Sequence, residues 1–177
     1  MPAFRGPGAP ALLLAAALPA MLGAQSVPYE SPPEDLPRAV GAQPVPFDHS
    51  LHAARGMACA DCHPGATERV RAGLPDRDRC MLCHQVLAAD RAGVRKLASL
   101  PPGGRIPWVR VYRVPGFVFF SHAEHAAAGV DCQTCHGPVA SRTVLSQEVS
   151  TKMVACMNCH AARQASNECY LCHDLGQ

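Results

Sequence analysis

The amino-acid sequence predicts a mostly irregular fold with a few short α-helices and a minor strand element, organised around something other than its own apolar side chains. Three observations lead there. Seventeen prolines and fourteen glycines interrupt 177 residues, so long regular elements are not expected. The aromatic residues are five Phe, three Tyr and one Trp, too few to fill an ordinary core at this length. The ten cysteines all fall into C-x-x-C pairs, and a histidine follows each pair at once.

The five motifs are Cys59-Ala-Asp-Cys62-His63, Cys80-Met-Leu-Cys83-His84, Cys132-Gln-Thr-Cys135-His136, Cys156-Met-Asn-Cys159-His160 and Cys169-Tyr-Leu-Cys172-His173. Two thiols at this spacing add across the vinyl groups of a haem as thioethers, and the adjoining histidine ligates the iron. Zinc is the competing use of paired cysteines, but a tetrahedral thiolate site gives no reason for a histidine after every second cysteine. A thioredoxin-like dithiol would need a βαβ pattern around the motif, and none is present. The motifs therefore predict five covalently bound haem c groups, with His63, His84, His136, His160 and His173 as proximal iron ligands. With roughly 30 residues per haem, the cofactors themselves are expected to supply most of the buried aromatic surface. A chain of this kind is not expected to fold without them.

An internal repeat divides the chain. Phe47-Asp-His49-Ser-Leu-His52 leads through Ala53-Ala54 and Gly56 into the first motif, and Phe120-Ser-His122-Ala-Glu-His125 leads through Ala126-Ala127 and Gly129 into the third. The two stretches align without a gap, 73 residues apart. Residues 45–100 then read as a two-haem unit with a linker helix over Gln85 to Leu100, its apolar positions being Val86, Leu87, Val94 and Leu97. Residues 101–177 read as a three-haem unit, entered by an alternating segment from Trp108 to Val114 that predicts a short strand. Residues 25–44 are Pro-rich and predict an extended leader. Residues 1–24 predict a cleaved secretory signal: Arg5 precedes the apolar run Ala11 to Leu22, and small residues follow it. A membrane anchor is the alternative, but the run is about half the ~20 residues a spanning helix needs, and Pro19 interrupts it.

Five irons have five further axial positions. The histidines outside the motifs are His49, His52, His122 and His125, all in the repeated F-x-H-x-x-H element. A spacing of three puts both histidines of a pair on one side of a helical turn, from which they can address two different haems. The fifth candidate is Met153, three residues before Cys156, where the first unit has Arg77 before Cys80. The unit with the additional haem carries the additional ligand candidate, which assigns Met153 to the Cys169 haem. Packing is the ordinary role of a methionine. Met57 is a poorer rival, and Met81 and Met157 lie inside motifs.

F-x-H-x-x-H followed by C-x-x-C-H motifs resembles the class III multihaem cytochromes c, and residues from about 118 to 177 look like the triheme members. The resemblance implies a ligand pairing: His122 with His136, His125 with His160, and position 153 with His173. The family carries histidine where this chain has Met153. The same logic in the first unit pairs His49 with His63 and His52 with His84. The segment from Ile106 to His122 also resembles the multihaem subunit of alternative complex III and related quinol-oxidising assemblies, which implies a membrane quinol-oxidising complex as a partner.

These readings predict an electron carrier of a bacterial respiratory chain, periplasmic or extracellular, passing electrons between redox partner proteins. Two histidines keep an iron six-coordinate in both oxidation states, and a methionine ligand raises its potential. Four low-potential haems and one higher one are therefore expected. The bare chain carries +2, or about +1 once the signal with Arg5 is removed, and ten propionates and five porphyrins take the loaded protein to roughly −4 oxidised and −9 reduced. No phosphate loop or basic stripe points to nucleic acid. An enzyme, such as a reductase of nitrogen or sulfur oxyanions, would need an open iron, and the Cys169 haem is where it would be. A subunit of an extracellular cytochrome polymer would need ligands donated between chains.

Overall fold

The computed structural model describes residues 28–174. The proposed signal and the first residues of the leader lie outside them. The expected mixture of irregular chain, short helices and a minor sheet is what the described residues form, and the longest helix has ten residues. None of these helices is long and apolar enough to cross a membrane.

The repeat is repeated in three dimensions. Helix α1 (His49–Ala53) is capped by Asp48, whose carboxylate accepts from the Leu51 N–H at 2.9 Å. Further along, α5 (His122–Ala127) is capped by Ser121, whose hydroxyl accepts from the Glu124 N–H at 3.3 Å. Capping at this position satisfies a backbone donor that the helix itself cannot. Both helices stop at glycine: Gly56 has φ +80 and Gly129 has φ +67, left-handed values that favour glycine. The reversal delivers the chain into α2 (Cys59–Cys62) and α6 (Gln133–His136) respectively. A 3₁₀ turn follows each motif, at Pro64–Ala66 and Val139–Ser141.

The two units exchange contacts reciprocally. Helix α1 packs on the Val139–Ser141 turn, and α5 packs on the Pro64–Ala66 turn. The Ser50 N–H donates to Arg142 O at 3.1 Å. From the other side, the N–H groups of His122 and Ala123 donate to Val70 O at 3.1 Å and Arg69 O at 3.0 Å.

Apolar burial is concentrated in the first unit. Helix α3 (Arg77–His84), capped by Asp76, lies against α4 (Ala92–Ala98). Val45, Met81, Leu97 and Ile106 form the buried cluster, with Trp108 packed at its edge and donating through Nε1 to Pro75 O at 2.7 Å. Among the described residues the buried hydrophobics are these four and Val94.

Two expectations need correction. The linker helix is confined to α4. Ala88 takes φ 54, which breaks any helix begun at Gln85, and Val86 and Leu87 point to solvent at 83% and 62% exposure. Nor does the Trp108–Val114 segment form a strand. Its Val109 N–H and C=O are both taken by the side-chain amide of Gln43, at 3.0 and 2.9 Å. The sheet instead joins β1 (Arg38–Ala39) in the leader to β2 (Ser146–Gln147), antiparallel. In the same way, the side chain of Asn158 accepts from Tyr29 N–H at 2.7 Å and donates to Tyr29 O at 3.1 Å. The leader is thus tied to helix α7 (Met153–Ala162).

The unequal fate of the four linker apolar residues is measurable. Leu97→Ala should lower the unfolding free energy by about 2–5 kcal/mol, whereas Val86→Ala should stay within about 0.5 kcal/mol. Denaturant titration of the two purified variants checks the contrast.

Candidate functional site

One continuous cleft of about 4200 Å³ is lined by all ten cysteines, all nine histidines and Met153. An ordinary small-molecule pocket spans roughly 300–1,000 Å³, so this cleft has room for several large groups. Its walls are chiefly apolar side chains, among them Val111, Phe117, Val118 and Leu145.

The motifs sit where short helices can present them. Cys59 and Cys62 open and close α2, and His63 follows at once. The second motif ends α3, with His84 its last residue. Cys135 and His136 end α6, the fourth motif lies within α7, and Cys169 and Cys172 bound α8 (Cys169–Cys172) with His173 beyond it. A C-x-x-C spacing on a helix puts both sulfurs on one side. All ten thiols are free of disulfides.

The histidines outside the motifs face those inside them. Ring centres lie 6.2 Å apart for His52 and His84, 6.3 Å for His122 and His136, and 6.1 Å for His125 and His160. An imidazole nitrogen binds a metal at about 2.0–2.1 Å and the ring centre lies roughly 1 Å further out. Two rings on opposite sides of one ion therefore sit about 6 Å apart, and two at a tetrahedral angle about 5 Å apart. The observed spacing is the trans one. It suits an iron held axially in a porphyrin and does not suit a tetrahedral zinc.

The rings are also turned the right way. Nδ1 of six histidines approaches a backbone carbonyl: Asp48 O for His52 at 2.7 Å, Gly73 O for His63 at 2.8 Å, Leu87 O for His84 at 2.8 Å. The others are Val70 O for His122 at 3.1 Å, Ser121 O for His125 at 2.8 Å and Ser166 O for His160 at 2.8 Å. A carbonyl only accepts, so Nδ1 carries the proton and the Nε2 lone pair remains for a metal.

His49 is different: its Nδ1 is buried with no hydrogen-bond partner. Burial first, then the charges of His63 and His52, push its pKa down to about 4. Burial, then His122 and His63, also lowers that of His136. Both rings are held neutral, which is the form that binds metal. The influence of His63 on His49 also makes them neighbours.

Phe47 and Phe120 explain the first letter of the repeated element, to which the sequence reading attached no role. Each stands edge-on to the first histidine, at 4.7 Å from His49 and 4.8 Å from His122. Each lies more nearly face-on to the second, at 4.4 Å from His52 and 4.6 Å from His125. One phenyl ring thereby orients two imidazoles. Tyr112, from the segment misread as a strand, does a related job. Its ring meets His136 edge-on at 4.7 Å, and its hydroxyl donates to His136 O and accepts from the Glu148 N–H, both at 3.0 Å.

Thiols of different motifs are neighbours too. Burial raises the Cys59 thiol, and Cys132 adds to this through its charge and a side-chain hydrogen bond. Burial likewise raises Cys62, which also feels Cys83, and Cys135, which feels Cys159 and Cys156. Cys156 is raised by burial and by Cys172.

Met153 is the first residue of α7 and is 60% exposed, while Arg77 is the first residue of α3. The two positions are equivalent in structure as well as in sequence. His173 has the Phe117 ring beside it, 6.2 Å centre to centre, and its backbone bridges to Val118.

Residues 118–174 match the family described as cytochrome c7 and related cytochrome c. That match supports a multihaem c-type cytochrome over the third, fourth and fifth motifs. No curated protein matches the chain.

Phe120→Ala should remove two ring contacts worth about 0.5–1.5 kcal/mol each. The expected loss in unfolding free energy of the loaded protein is about 1–3 kcal/mol, read by denaturant titration, and Phe120→Leu should recover only part of it.

Proposed function

We propose that this chain is an exported pentahaem c-type cytochrome that transfers electrons between redox partner proteins. The observation that carries the reading is the trans spacing of the histidine rings, 6.1 to 6.3 Å in three pairs. Free thiols at helical spacing beside each pair supply the covalent attachment. Haem bound at these motifs supplies reversible one-electron iron chemistry.

The protein's part is to hold the ligands. His63 with His49, His84 with His52, His136 with His122, His160 with His125, and His173 with Met153 would hold the five haem irons. The six carbonyl contacts fix ring orientation and raise the basicity of Nε2. Imidazoles held this rigidly would leave little to rearrange when the electron count changes. The match of residues 118–174 to a cytochrome family supports electron transport as the role. The partners we propose are a membrane quinol-oxidising complex as donor and a terminal reductase as acceptor, on the resemblance of the Ile106 to His122 segment.

An alternative role as a reductase would need one open iron, and the exposure of Met153, together with the apolar Phe117 ring beside His173, makes the Cys169 site the place to look. Electron paramagnetic resonance of the oxidised protein, followed by carbon monoxide addition to the reduced form, separates the two. A carrier shows only low-spin signals and takes up no carbon monoxide. A high-spin iron that binds carbon monoxide would give Met153 a packing role and the chain a substrate site.

The ring planes add a finer expectation. His122 and His136 are inclined by 10° and His52 and His84 by 69°. Near-parallel axial rings should give one rhombic low-spin spectrum, and near-perpendicular rings a more axial one with a larger principal g value. A single uniform low-spin signal from the loaded protein would contradict the assigned pairs.

A further inference from the structure

The repeat pairs each residue with one 73 positions later, and the fold brings such partners face to face. Cys59 and Cys132 are equivalent, and their thiols are close neighbours. Around them the packing is reciprocal: α1 of the first unit rests on the turn after the third motif, and α5 of the second rests on the turn after the first motif. Contact between equivalent residues, with flanking contacts exchanged in both directions, is the signature of a two-fold relation. The chain thus contains an internal pseudo-dyad, and the first motifs of the two units flank it.

Each unit extends outward from that axis through its own ligand helix. On α1, His52 reaches His84 of the second motif, while His49, one turn back, neighbours His63 of the first. On α5, His122 faces His136 of the third motif and His125 faces His160 of the fourth. The fifth motif is fastened to the fourth, since Asn167, two residues before Cys169, donates to Met157 O at 3.0 Å. The neighbouring thiols trace the same line, Cys83 to Cys62, Cys59 to Cys132, Cys135 to Cys159, and Cys156 to Cys172.

We propose that the attachment sites form one unbranched series in space, in the order Cys80, Cys59, Cys132, Cys156, Cys169, with the pseudo-dyad between Cys59 and Cys132 as the junction of the two units. This rests on the reading of the motifs as haem sites. The order differs from chain order, because the second motif lies at one end and the fifth at the other. The junction is made by the two first-motif sites. Each passage along the series oxidises one ferrous iron by one electron and reduces the adjoining ferric iron by one, with no bond made or broken and no proton moved. A one-electron donor protein serves one end and a one-electron acceptor protein the other.

Nuclear Overhauser contacts between haem substituents in the reduced, diamagnetic holoprotein test the order directly. Contacts are expected between the Cys59 and Cys132 haems and along consecutive members of the series. No contact between those two, or any contact joining the Cys80 haem to the Cys156 or Cys169 haem, overturns the order. His52→Met tests it functionally. Raising the potential of the terminal Cys80 haem should shift the midpoint of the Cys59 haem downward and leave those of Cys156 and Cys169 where they are; a shift at the far haems instead would overturn it. Intact mass keeps the two levels apart. Fewer than five haems sinks the reading of the motifs and the order with it, whereas five haems with the wrong contacts sinks the order alone.

Discussion

The candidate site depends on three pairs of imidazoles held about 6 Å apart, five of the six rings with Nδ1 turned to a backbone carbonyl. Those carbonyls, two phenylalanines and one tyrosine are arranged to keep the rings still. Helices α1 and α5 last only as long as a pair of histidines requires and then stop at a glycine in left-handed conformation. The apolar cluster built mostly by the first unit anchors the chain, and among the described residues the second unit adds only Ile106 to the buried hydrophobics. Others of its apolar side chains line the cleft, among them Val111, Phe117, Val118 and Leu145.

Side-chain amides substitute for strand partners. Gln43 pairs with the backbone of Val109, and Asn158 with that of Tyr29. With so many prolines, the chain has few uninterrupted runs from which to build a ladder. A bidentate amide gives a segment both hydrogen bonds at one residue without committing its neighbours. The leader is secured to the second unit by such a contact and by two ladder positions, next to the motif carried on α7.

Much of the candidate site was legible from residue spacing. Chemistry that uses Cys, Cys and His at fixed offsets leaves a local imprint, and the F-x-H-x-x-H repeat exposed His49, His52, His122 and His125 as a set. The role of Phe47 and Phe120 was visible as a repeated letter but not as a contact, because edge and face geometry appear only once the helix is turned. Two fold expectations failed for reasons a local pattern cannot carry. The alternating segment from Trp108 to Val114 suited a strand, yet strand formation needs a partner, and the Gln43 side chain took that place at Val109. Val86 and Leu87 suited a helix with Val94 and Leu97, but Ala88 takes a left-handed conformation between them. The pseudo-dyad was implicit in the repeat, although sequence similarity alone does not say that two copies embrace.

Near-infrared magnetic circular dichroism of the fully oxidised protein tests the ligand account most directly, because low-spin ferric haem with two histidines and haem with histidine and methionine absorb at separate positions there. The account predicts both bands, in a proportion of four to one. Histidine–methionine intensity exceeding one part in five, or a band from a high-spin iron, would contradict it.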